Sequence, residues 1–94
     1  MLTVTEPALE RLARRLVRKE AGDDVALRFM RREGGWTLHL DHESAGDMAF
    51  THDGRKVLLL DEAVSRAMAD MTLDTRKSGR RSRLKLCHNE RCGD

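Results

Sequence analysis

Asp53-Gly54-Arg55-Lys56-Val57-Leu58-Leu59-Leu60-Asp61 decides how this chain folds. Asp-Gly is among the strongest short hairpin signals, because its two residues accept the positive φ angles of a tight turn. Residues 48–51 and 56–60 are then a strand pair around His52-Asp53-Gly54-Arg55. Asp61 follows at once and is placed to cap a short helix over residues 62–69, whose apolar face is Ala63, Val64, Ala67 and Met68. The run from Val57 to Leu60 is the longest uninterrupted apolar stretch in the chain. Four residues cannot cross a bilayer, which takes about 20.

Toward the N-terminus, Leu9, Leu12, Ala13, Leu16 and Val17 recur at the spacing of one helical face over residues 6–20. Arg11, Arg14, Arg15, Arg18 and Lys19 fill the other side. Thr5 is the expected N-cap, Pro7 is tolerated in the first turn, and Glu6 and Glu10 suit the positive end of the helix dipole. Gly22 is placed to end the helix in a left-handed conformation. The stripe is narrow and lacks Trp or Phe, so it is expected to pack on a core and not on a membrane. From Val25 the period changes to two, with Val25, Leu27 and Phe29 on one face. Gly34-Gly35 breaks this run as a hairpin connection, and Trp36, Leu38 and Leu40 alternate along the returning strand.

Toward the C-terminus, residues 71–75 read as a strand, 76–81 as a basic turn and 83–86 as a last strand, followed by a polar tail. The 94 residues suffice for one domain, residues 1–86, with 87–94 outside it. Helix, about four strands, short helix and two strands make an α+β, mostly β domain. Residues 1–75 carry 11 basic and 14 acidic side chains, whereas residues 76–94 carry seven basic and two acidic. Arg76, Lys77, Arg80, Arg81, Arg83 and Lys85 therefore form a basic end that could dock an acidic partner. Nucleic acid is not the expected partner, because the aromatics that stack on unpaired bases are missing from this segment. The first residues hold neither a basic n-region nor an apolar h-region, and both cysteines fall in the last eight positions. These features suggest a cytoplasmic protein and no secreted disulfide framework.

The order of elements resembles the A-type iron–sulfur carriers, the HesB/IscA-like proteins. Members open with a T-x-x-A helix start, here Thr5-Glu6-Pro7-Ala8, and continue into an LR strand, here Leu27-Arg28. A D-G-x-x-V hairpin follows, here Asp53-Gly54-Arg55-Lys56-Val57, and later a strand ending in LD, here Leu73-Asp74. The likeness covers roughly residues 2–86. It implies a compact antiparallel or mixed β-sandwich or pseudo-barrel with an N-terminal amphipathic helix and a second short one. It further implies a bacterial type of protein in iron–sulfur cluster biogenesis, a carrier or accessory binding protein and not an enzyme. Assembly or recipient proteins would be its partners. Members bind iron or cluster through three cysteines, one in the loop after the LR strand and two in a C-terminal C-G-C-G. Here the loop, Arg31-Arg32-Glu33-Gly34-Gly35-Trp36, has no thiol, and Cys92-Gly93 matches only half of the C-terminal motif.

Cys87, His88 and Cys92 nevertheless present C-H-x-x-x-C, a donor set suited to zinc, iron or an iron–sulfur cluster. A closed site takes about four protein ligands and one tail supplies three. Completion would come from a homodimer that pools two tails and shares the metal between subunits, or from His39, His42 or His52. The simpler alternative is two exposed thiols that oxidise to a disulfide. His39 and Asp41, two apart on one strand, could pair as a general base and its orienting carboxylate, but no nucleophile accompanies them. A different class of function also fits: a metal-free interaction module using residues 76–85 to bind an acidic protein or nucleic acid, with steep salt dependence.

Overall fold

The computed structural model describes residues 2–78 and 81–88. Its elements are β1 (Thr3–Val4), α1 (Glu6–Arg18), β2 (Val25–Arg32), β3 (Gly35–His42), β4 (Met48–His52), β5 (Arg55–Leu60), α2 (Glu62–Ala67), β6 (Met71–Ser78) and β7 (Arg81–His88). They form two mixed, unclosed sheets: a three-stranded one in the order β1-β6-β7 and a four-stranded one in the order β3-β2-β5-β4. The β1–β6 and β2–β5 pairs are parallel, the others antiparallel. This is the mostly β α+β architecture expected, with an N-terminal amphipathic helix and a second short one.

The apolar run Val57–Leu60 lies in β5, an interior strand. Val57, Leu58, Leu59 and Leu60 are all fully buried. A strand alternates its faces, so one continuous buried run needs either cover on both sides or a break in the pleat. Both are present. Phe50 opposes Leu58 and Thr51 opposes Lys56, which leaves Val57 as the extra residue of a β-bulge. The bulge lets Val57 join Leu58 and Leu60 in the main core, while Leu59, opposite Arg28 and Ala49, is buried outside that cluster. Ala8, Leu12 and Leu16 of α1 close the core with Leu2, Leu27, Phe29, Met68 and Leu73.

Thr5 fastens the helix. Its hydroxyl accepts from the Ala8 N–H at 3.4 Å and donates to Asp74 Oδ1 at 2.7 Å. Its own N–H donates to the Leu73 carbonyl at 3.1 Å. The T-x-x-A and LD motifs, 69 positions apart, are thus two halves of one latch. Asp74 also accepts from the Thr75 N–H, and the Thr5 hydroxyl with this amide lowers its pKa. Asp61 caps α2 by accepting from the Val64 N–H at 2.7 Å.

Several local expectations are corrected. Val17 is 69% exposed, because the buried stripe is narrowed to Ala8, Leu12 and Leu16. Helix α1 ends at Arg18, and the left-handed residue is Glu20, with φ 54°, in place of Gly22. The Ala21 N–H reaches the Leu16 carbonyl and the Glu20 N–H the Val17 carbonyl, a Schellman closure. The first hairpin turns at Glu33-Gly34, and Gly35 already belongs to β3. The basic segment is a ribbon of two eight-residue strands, where two short strands and a six-residue turn were expected. β1 was not anticipated; two residues carry no periodicity.

Candidate functional site

The last two residues of β7 are Cys87 and His88, paired with Thr72 and Met71 of β6. Neighbours on a strand point to opposite faces, so the two side chains do not converge on one ion. His88, with Leu86 two residues before it, lines a cleft of about 370 Å³. The opposite wall of this cleft is the β2–β3 turn, through Arg31, Arg32, Gly34, Gly35 and Trp36. The fold therefore brings the loop after the Leu27-Arg28 strand, where the resemblance places one cysteine, beside the end of β7; the stretch matched to C-G-C-G, Cys92-Gly93, lies outside the described residues. In this chain the cleft offers arginine, glycine, tryptophan and one imidazole.

Cys87 lies on the other face, its Sγ 3.7 Å from the Thr72 carbonyl oxygen. It is disulfide-bonded, so reduction must precede any use of its sulfur as a thiolate ligand. Cys92 and Arg80 lie outside the described residues. Among the described residues no three His, Cys, Asp or Glu side chains gather into a metal-binding group. His42 contacts Asp24 at 3.2 Å, and His52 sits between Glu6 at 3.8 Å and Asp53 at 3.5 Å.

Asp41, which could have oriented His39 as a general base, is instead engaged by Arg28. Arg28, half-buried on the outer face of the larger sheet, is the hub. Its Nε donates to Asp41 Oδ2 at 2.6 Å, and its Nη atoms donate to both oxygens of Asp47, at 2.6 and 3.0 Å. Nη2 also reaches the His42 carbonyl at 3.2 Å. The Arg28 and Asp47 side chains are only 12% and 4% exposed. Hydrogen bonding to Asp47 holds the Arg28 pKa above its ordinary value, and Arg28 in turn lowers both carboxyl pKa values. Asp41 is thus an arginine clamp and not the orienting partner of a general base. The missed signal is Asp47, which no periodicity links to Arg28; only folding of the 43–47 loop brings it there.

The basic residues divide by strand parity. Arg76 stands opposite Arg83, and Asp74 opposite Lys85, so Arg76, Arg83 and Lys85 share one face and Lys77 takes the other. Arg81 begins β7, opposite Ser78. Arg83 also lines a second cleft, against α1, with Arg11, Arg14, Arg15, Arg18 and Trp36. Sequence distance had hidden this meeting of the ribbon with the only tryptophan, whose ring stacks on Phe29 with centroids 5.0 Å apart.

No protein-family model matches the chain, and neither does any curated protein sequence. Solved structures do. The chain is similar to Escherichia coli SufA, involved in biosynthesis of iron–sulfur clusters, with a TM-score of 0.69 and 25% identity over 95% of this chain and 86% of that one. It is also similar in fold to IscA with a [2Fe-2S] cluster, with a TM-score of 0.56 and 13% identity over 94% of this chain and 82% of that one. No described helix is long and apolar enough to cross a membrane.

Proposed function

We propose, from the likeness to SufA and from the cleft between the β2–β3 turn and the end of β7, that this chain serves iron–sulfur cluster biogenesis as a binding protein and not as an enzyme. It is a divergent, cytoplasmic, IscA-like carrier built as one domain whose last strand ends with Cys87 and His88, where a tail had been expected to begin, and whose donor segment continues to Cys92. Its cargo is iron or a cluster. Cys87 and Cys92 are the thiolate donors, and His88 is the third candidate. One chain offers two thiolates where a cluster takes about four protein ligands, so two copies pool their tails around a shared cluster. The single observation that carries the reading is the SufA-like scaffold, matched with a TM-score of 0.69 over 95% of this chain.

The test begins with thiol reduction under anaerobic conditions, because Cys87 is oxidised. Ferrous iron and sulfide are then supplied, and iron, sulfide and visible absorbance are measured. A brown dimer with about one [2Fe–2S] unit per two chains is expected. Cys87→Ser and Cys92→Ser should each stay colourless. Colourless wild-type protein refutes the carrier role and leaves the accessory one, docking to assembly or recipient proteins; a cluster in an isolated monomer refutes the pooled site.

A further inference from the structure

Helix α1 places Arg11, Arg14, Arg15 and Arg18 at i, i+3, i+4 and i+7, one stripe beside its buried leucines. A solvated basic stripe alone would mean little. Here the stripe forms one wall of a cleft of about 300 Å³ whose other lining includes Arg83 of β7 and Trp36 of β3. Three elements distant in sequence thus converge on a pocket with five guanidinium-bearing residues, one aromatic ring and no carboxylate among its described lining residues. Glu10 pairs with Arg14 from outside that lining, while Arg15, Arg18 and Arg83 add cationic groups to the described wall. Trp36 is half-buried, its inner face held by Phe29, which fixes the ring in place.

We propose that this cleft binds a nucleoside polyphosphate, independently of the iron–sulfur reading. Arginine's planar fork suits bidentate contact with phosphate oxygens, and an indole held in place by Phe29 beside it suits stacking of a planar base. Size decides against a larger occupant. About 300 Å³ lies at the lower bound of small-ligand pockets and holds one nucleotide, not a strand of nucleic acid. The arginine count favours two or three phosphates over one.

Trp36 is the only tryptophan and borders this cleft as well as the one beside His88, so a fluorescence change is assigned to this cleft where Arg15→Ser/Arg18→Ser removes it. The probes are ADP, inorganic pyrophosphate and a short oligothymidylate, titrated into the intact protein at low and at physiological salt, with calorimetry in parallel. ADP should quench Trp36 saturably and bind more weakly at higher salt, while pyrophosphate binds more weakly still and leaves the emission unchanged. Arg15→Ser/Arg18→Ser, both exposed positions, should weaken ADP about tenfold or more without lowering the melting temperature. Trp36→Phe should retain the calorimetric response to pyrophosphate. The proposal is overturned by no saturable ADP binding at low salt, by identical affinities for ADP and pyrophosphate, by wild-type affinity in the double arginine variant, or by an oligothymidylate that binds more tightly than ADP.

Discussion

Arg28→Met tests the clamp on the outer face of the larger sheet. The substitution keeps an unbranched apolar stem of similar reach and deletes the fork that bonds Asp41, Asp47 and the His42 carbonyl. What remains is Asp47, 4% exposed, with only the Ser44 N–H at 2.7 Å as its partner. A buried carboxylate stripped of its cation costs about 3–5 kcal/mol in deep interiors, and a site at a sheet face, near water, brings this to about 2–4 kcal/mol. For a chain of this size that is a fall in Tm of roughly 10–30 °C. Urea unfolding at pH 7 followed by circular dichroism would read it as a lower midpoint with an unchanged slope. The pH dependence supplies a second measure. Arg28 lowers the pKa of Asp47 and Asp41, so their contribution is complete above the unfolded carboxyl pKa, about 3.9, and is lost as pH falls through the folded values. In Arg28→Met the buried Asp47 has lost that cation, and burial favours its protonated form. The deficit against wild type should therefore shrink from pH 7 toward pH 3. A loss under 1 kcal/mol at pH 7, or a gap that widens with acid, would refute the assignment of Arg28 and Asp47 as an interdependent pair.

Thr5→Ala removes both the helix cap and the donor to Asp74 and should cost about 1–2 kcal/mol, with Thr5→Ser restoring most of it; chemical denaturation of the three proteins decides. Leu12→Asp places a carboxylate at a fully buried position and should leave no cooperative melting transition; a melt close to wild type would show that α1 is not docked. Glu20→Gly relieves a left-handed backbone at φ 54° and should stabilise by about 0.5–1 kcal/mol, visible as a rise in Tm, whereas Gly22→Ala should give no such gain.

Elements whose signals are local could be read directly. Asp53-Gly54 marks its own turn, Asp61 its own helix start, and the alternation from Val25 and from Trp36 its own strands. Contacts made by tertiary structure could not. The partner of Arg28 is a loop aspartate 19 positions on, chosen by how residues 43–47 fold over the sheet. Glu20 took the left-handed position because the Leu16 and Val17 carbonyls needed closing there, two residues before the glycine that propensity favours. The meeting of the β2–β3 turn with the end of β7 had no signal in the sequence, because it depends on how the two sheets pack. Trp36 was read as one member of a half-buried strand, while its place among arginines depends on three elements packing at once.

The pairing of β1 with β6 has a consequence for how the chain is made. Helix α1 is translated well before its tether, Leu73 and Asp74, the latter 69 positions further along the chain than Thr5. Until then the ribosome-bound nascent chain carries an arginine-studded helix whose leucine stripe has no seat. Such far-separated closure slows maturation and exposes a sticky surface meanwhile, which is the condition chaperones recognise.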